Sequence, residues 1–112
     1  MAGIRIQAYE VGKDVVFIAT GGEAHIGAMA TAWAAPEAST VQSYALALPG
    51  HREAELAVEL AEMASRSLNR TVAVVAGIHL ESPTKDEIKA IVELARSRMR
   101  ETLEQWSNKA RE

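Results

Sequence analysis

Apolar and polar residues alternate over residues 4–9, and a short apolar run follows Asp14 over 14–19, which predicts two short strands. Gly12-Lys13 lies between them and suits a tight reversal, so the pair is expected to form a hairpin. Gly21-Gly22, within a turn at 20–23, leads into a longer strand over 25–34, and the chain is expected to reverse there as a second hairpin. On this third strand Ile26, Ala28, Ala30, Ala32 and Ala34 share one face, and His25, Gly27, Met29, Thr31 and Trp33 share the other. The alanine face is flat and suits close packing. A turn at 36–39 and a fourth strand over 40–48 follow, closed by Pro49-Gly50.

From Glu53 the period changes. Leu56, Leu60, Met63, Ala64, Ser67 and Leu68 recur at three and four, which predicts an amphipathic helix ended by Asn69-Arg70. Residues 71–80 are rich in Val72, Val74, Val75 and Ile78 and poor in charge, as expected of a central strand covered on both faces. Thr84 and Glu87 have the capping-box spacing, and the stripe Ile88, Ile91, Val92, Ala95, Met99, Leu103 and Trp106 predicts a second helix behind them. The fold class is therefore α/β (α+β), a small sheet of about five strands in the order β-β-β-β-α-β-α with two helices packed on it. Residues 1–112 are expected to form a single domain.

Counting directions along this order places the chain's three histidines together. If the second strand runs up, the third runs down from His25, the fourth runs up toward His51, and the fifth runs up to end at His79. Both helices begin at that same pole, with their N–H groups and positive dipole ends directed into it. This favours an anion, and ligands of open α/β sheets gather at the carboxyl ends of the strands. The candidate binding residues are Gly21, Gly22, His25, Gly27, Gly50, His51, Arg52, His79, Ser82 and Thr84. The glycines allow close approach to the main chain, and Arg52, Ser82 and Thr84 supply donors.

Composition narrows the chemistry. With no cysteine among 112 residues, a disulfide framework, a thiolate metal site and a cysteine nucleophile are excluded. The net charge of −3, with basic residues interspersed among acidic ones, argues against nucleic acid as a partner, and five scattered aromatic residues make no stacking platform. Residues 1–5 do not resemble a signal peptide, and no apolar run nears the roughly 20 residues of a membrane span. A cytoplasmic location without membrane contact is expected.

No serine stands in a strand-to-helix elbow, and no catalytic constellation is spelled out, so no catalytic residue is assigned. Glu53 and Glu55 read as helix-start charges. Three readings of the histidines stay open: satisfied side chains that fix loops, an anion site, and a metal site of His25, His51 and His79 that would activate water. The alanine-rich strand and the residues around Trp33 read as core with partial exposure at a dimer surface.

Four blocks carry a family resemblance: Thr20-Gly21-Gly22-Glu23-Ala24-His25-Ile26-Gly27-Ala28, Leu48-Pro49-Gly50-His51-Arg52-Glu53, Arg70-Thr71-Val72 through Ala76-Gly77-Ile78-His79, and Thr84 to Ile88. Together they resemble the LpdD-like prenylated-flavin chaperone domains, bacterial and archaeal relatives in fold of the proteasome assembly chaperones. The resemblance spans most of the chain, and Gly21, Gly22, His25, Gly27, His51 and His79 are the positions it carries over. It implies a non-catalytic accessory protein that assists a UbiD-type decarboxylase by binding or delivering prenylated flavin mononucleotide.

The expected function is thus a homodimeric chaperone with no tightly bound cofactor, receiving prenylated FMN or FMN as a transient ligand, or a loop of its client. In this reading helix-start amides and His51 or Arg52 hold the phosphate while His25 and His79 close around it. The alternatives are a structural dimer that assembles with a protein client and takes no small ligand, and a histidine-metal enzyme.

Overall fold

The computed structural model of the chain describes residues 3–35, 40–49 and 53–110. Seven elements follow in the expected order: β1 (Ile4–Val11), β2 (Asp14–Gly21), β3 (Ala28–Ala34), β4 (Val41–Ala47), α1 (Ala54–Leu68), β5 (Val72–Ile78) and α2 (Lys85–Ala110). The turn expected at 36–39 lies outside the described residues, as do Gly50, His51 and Arg52.

The five strands make one mixed sheet in the order β1-β2-β5-β3-β4. β1 and β2 form the expected antiparallel hairpin, with Val11 opposite Asp14 across the Gly12-Lys13 turn. β2 does not pair with β3, which corrects the second expected hairpin. β5 lies between them, parallel to β2 and antiparallel to β3. Its run of Val72, Val74 and Val75 is the most apolar strand sequence, so the centre of the sheet is where it removes most area from water. The expected directions survive this change, because β3 still runs against β2, β4 and β5.

Inserting β5 forces the β2–β3 connection to cross its end, and small residues make that crossing feasible. Gly22 has φ +67, and a Cβ there would overlap the His79 carbonyl. Gly77 lies directly beneath His25, and a Cβ there would overlap the His25 carbonyl. The crossing segment is tied down by hydrogen bonds from His79 N–H to the Gly21 carbonyl (3.0 Å) and from Gly27 N–H to the Ala76 carbonyl (2.8 Å). As a consequence the third strand begins at Ala28 and not at His25, and Ile26 is 56% exposed instead of sharing the alanine face. Ala34 is also exposed, whereas Ala28, Ala30 and Ala32 are buried as expected.

Both helices cover the same side of the sheet: α1 packs on β3, β4 and β5, and α2 packs on β1 and on α1. The layer where α1 meets β3 is alanine on both sides, with Ala57, Ala61 and Ala64 of the helix and Ala28, Ala30 and Ala32 of the strand buried. Small side chains there let helix and strand approach closely. The larger core side chains, Phe17, Leu60, Val74 and Met99, fill the remaining space, and Trp106 of α2 tilts against Phe17 at 6.5 Å. Because the helices lie on one side only, β5 is not covered on both faces: Ala73 and Val75 are half-buried on the open side.

Helix ends behave as the sequence indicates. Asn69 stops α1 in the left-handed conformation, with its N–H bonded to the Ser65 carbonyl at 2.8 Å. Thr84 and Glu87 form the reciprocal capping box, at 3.1 Å for Glu87 N–H to the Thr84 hydroxyl and 3.0 Å for the return bond. The helices are joined by Arg96, which bonds Glu59 of α1 and Glu93 of its own helix.

Gly77→Ala tests the crossing, since the methyl group can be placed only by lifting the 22–27 segment off β5. The expected cost is about 1–3 kcal/mol or more, read as a lowered urea midpoint at unchanged slope. Gly3→Ala, where the new carbon meets nothing within 4 Å, is expected to stay within about 0.5 kcal/mol of the parent.

Candidate functional site

β2, β4 and β5 end, and α1 and α2 begin, at one pole of the sheet. The crossing segment delivers His25 there, and β5 delivers His79 one residue past its end. Their rings meet edge to face with centroids 6.4 Å apart. The expected convergence of histidines therefore holds for these two, while His51 lies outside the described residues.

His25 faces acceptors with both ring nitrogens. Nδ1 is 3.0 Å from the Glu23 carbonyl oxygen, and Nε2 is 3.2 Å from Oε1 of Glu53. A neutral imidazole has only one N–H, so satisfying both partners requires the doubly protonated ring. Its pKa is accordingly held above the ordinary value of about 6.5, chiefly by the Glu23 carbonyl, against partial desolvation and with support from Glu53. The same geometry disfavours His25 as a metal ligand, because both nitrogens are committed to carrying protons. Among the described residues, no group of three or more histidine, aspartate or glutamate side chains is arranged to hold a metal ion.

Glu53 is the residue that sequence reasoning undervalued. It is the N-cap residue of α1, yet its carboxylate makes no cap bond and turns to His25 and to the space above Gly27. A side chain at position 27 would collide with that carboxylate. The only sequence signal was the coincidence of a glycine in the third strand's first turn with an acid at a helix start, and neither is distinctive alone.

Beside these groups opens a cleft of about 650 Å³, lined by His25, Glu53 and His79 and by an apolar wall from α1, β5 and α2. Leu56, Ile78, Leu80, Ile88, Ile91 and Val92 make that wall. Several of them belong to the apolar stripes that mark the two helices in the sequence. Leu56 and Ile91 are buried in the core beneath the cleft, while Ile88, at the start of the α2 stripe, is 42% exposed. His79 stands at the rim, about half exposed, with Nε2 3.1 Å from Glu81. A depression of about 740 Å³ at the opposite pole, lined by Glu10, Lys13, Asp14, Asn69 and Arg70, is polar and built from turns. The histidine cleft better matches the usual ligand site, an apolar concavity with a few convergent polar groups.

The other sequence candidates play supporting parts. Gly21, Gly22 and Gly27 shape the crossing and do not line the cleft. Ser82 adopts φ +40 in the turn before α2, and Thr84 is engaged in the capping box, so neither lines it. Gly50, His51 and Arg52 lie outside the described residues, immediately before Glu53 in sequence. The start of α2 already holds the carboxylates of Asp86 and Glu87. Its dipole is therefore offset by the chain's own charge, which leaves less attraction for an external anion.

The family model described as prenylated flavin chaperone LpdD-like domain matches residues 1–107. No curated protein matches the chain.

The His25 geometry makes a prediction about pH. A group whose pKa is raised on folding stabilises the fold fully below its unfolded value, near 6.5, and that contribution disappears as pH rises through the folded value. Stability is thus expected to fall across that window, with the His25 ring titrating above 6.5 by NMR. In Glu53→Gln the folded value moves down but stays raised, because the Glu23 carbonyl bond remains. An unshifted His25 in the parent protein contradicts the assignment.

Proposed function

This chain belongs to the LpdD-like prenylated flavin chaperone family, and on that premise we propose that the histidine cleft receives prenylated flavin mononucleotide and passes it to a UbiD-type decarboxylase. The observation that carries this reading is the apolar cleft of about 650 Å³ with imidazoles at its edge. It falls within the roughly 300–1,000 Å³ typical of sites for organic ligands. A flavin ring system is large, flat and mostly apolar, and the prenyl-derived carbons add apolar area. Ile78, Leu80, Ile88 and Val92, all at least partly exposed, offer the matching surface.

The phosphate is served by different residues. The His25 imidazolium is a cation whose charge is largely balanced by Glu53 at 3.2 Å. His51 and Arg52 directly precede the cleft-lining Glu53 in sequence. In this reading Arg52 and His51 take the phosphate, His79 closes the rim, and the apolar wall holds the ring. Binding and release, with no covalent step, suit a chaperone that must surrender its ligand. An open cleft with a half-exposed histidine at the rim leaves the ligand reachable by an acceptor enzyme.

Titration of the purified protein with FMN and with prenylated FMN, followed by flavin fluorescence or calorimetry, tests this. Saturable binding is expected, tighter for the prenylated form because its extra carbons meet the apolar wall. Ile88→Glu and His79→Ala are each expected to weaken it tenfold or more, equivalent to about 1.4 kcal/mol. Lys13→Ala, at the opposite pole, is expected to leave it unchanged. Absence of saturable binding, or affinities that ignore Ile88→Glu, overturns the reading.

A further inference from the structure

The two edges of the sheet are finished differently. β1, at one edge, carries Arg5 and Glu10 along its length and has α2 packed against it. β4, at the other, reads Val41-Gln42-Ser43-Tyr44-Ala45-Leu46-Ala47, with no charge, proline or glycine in it. Charges and prolines are the usual means of stopping an edge strand from pairing with another chain, so β4 is the edge left available.

The ladder fixes which of its backbone groups are available. Leu48 N–H bonds the Gly27 carbonyl at 2.9 Å, so the backbone of position 48 points toward β3. Backbone groups alternate in direction along a strand, and Gln42, Tyr44 and Leu46 therefore bond Trp33, Thr31 and Met29 opposite them. The amides and carbonyls of Val41, Ser43, Ala45 and Ala47 point away from the sheet, and no backbone group among the described residues bonds them.

Side chains flank this edge differently on its two sides. Tyr44 and Leu46 turn to the open side, 73% and 55% exposed. On the helix side the Ser43 hydroxyl donates to Oε2 of Glu62 at 2.7 Å. Glu55 lies about two turns before Glu62 on the same face of α1. Arg66, 3.4 Å from Glu62, offsets part of this charge and leaves the helix flank of β4 acidic.

We propose that β4 receives an extended segment of a partner protein as an added strand, one whose residues alternate apolar and basic. Backbone bonds to residues 41, 43, 45 and 47 supply the affinity, and the alternate side chains supply the specificity. Apolar side chains of the segment lie beside Tyr44 and Leu46, and basic ones lie beside Glu62 and Glu55. A second copy of the chain does not fit this description, because β4 has no basic residue. Two β4 edges joined about a two-fold axis would also set both α1 helices side by side, with their Glu55 and Glu62 rows turned toward each other. The inference stands apart from the identity of any ligand in the histidine cleft.

The probe is a fluorescein-labelled peptide of the length of β4 that alternates valine and lysine, followed by fluorescence anisotropy, with a valine-glutamate peptide as its control. Saturable binding is expected for the first, at least tenfold tighter than for the second. Ala45→Pro removes an amide that points outward, a position where an edge strand accepts proline. It is expected to weaken binding at least tenfold with unchanged far-UV circular dichroism. Glu62→Lys tests the charge without altering the strand, and is expected to reverse the preference between the two peptides. Hydrogen exchange followed by NMR reads the edge directly. The amides of Ser43 and Ala45 are expected to exchange fast in the free protein and slowly with the valine-lysine peptide bound, whereas those of Tyr44 and Leu46 are protected in both. No saturable binding, equal affinity of the parent for the two peptides, or affinities that ignore both substitutions overturns the proposal. Protection of Ser43 and Ala45 in the free protein that grows with protein concentration overturns it as well, and would assign the edge to a second copy.

Discussion

The passage of residues 22–27 across the end of β5 is the constraint on which the rest of the structure depends. It allows β5, last of the strands in sequence, to occupy the centre of the sheet between β2 and β3. Hydrogen bonds alone would not permit it. The backbone of the crossing segment sits so close to Gly77, and Gly22 so close to the His79 carbonyl, that side chains at those positions would keep the layers apart. The same crossing puts His25 above the end of β5, opposite His79, and leaves Gly27 as open space for the Glu53 carboxylate. Sheet order and site geometry therefore have one physical origin.

Charge and apolar area divide the work at that pole. The carboxylates of Glu53, Glu81, Asp86 and Glu87 lie near histidines or helix starts, so little positive potential is left over from the helix dipoles. What the cleft offers most freely is apolar surface from Ile78, Leu80, Ile88 and Val92. The proposed recognition of a flat aromatic ligand therefore rests more on this apolar wall than on an anion hole.

Much of this was legible in the residues. The short apolar runs on either side of Gly12-Lys13 marked β1 and β2 nearly to their ends, the Thr84 and Glu87 spacing marked the start of α2, and strand directions alone brought His25 and His79 to one pole. Strand order was not legible, because a glycine pair reads equally as a tight hairpin turn or as the cover of another strand's end. Only the later glycine at position 77 distinguishes the two, and its meaning depends on a contact between distant segments. The cleft wall was hidden for a related reason: exposed Ile88 continues the same stripe as buried Ile91, Met99 and Leu103, and periodicity cannot tell where along a helix burial stops. The bareness of the outer face was partly visible in Met29 and Trp33 alternating with alanines, but it needed both helices to be placed on one side.

The central claim is that the cleft between β5 and the two helix starts is where a flavin binds. Amide chemical-shift mapping of the isotope-labelled protein during titration with prenylated FMN tests it most directly. The account predicts saturating shifts concentrated at Leu56, Ile78 to Leu80 and Ile88 to Val92, with the turns at Lys13 and Arg70 unmoved. Shifts centred on the opposite pole or on the open sheet face, or none at saturating ligand, would contradict it.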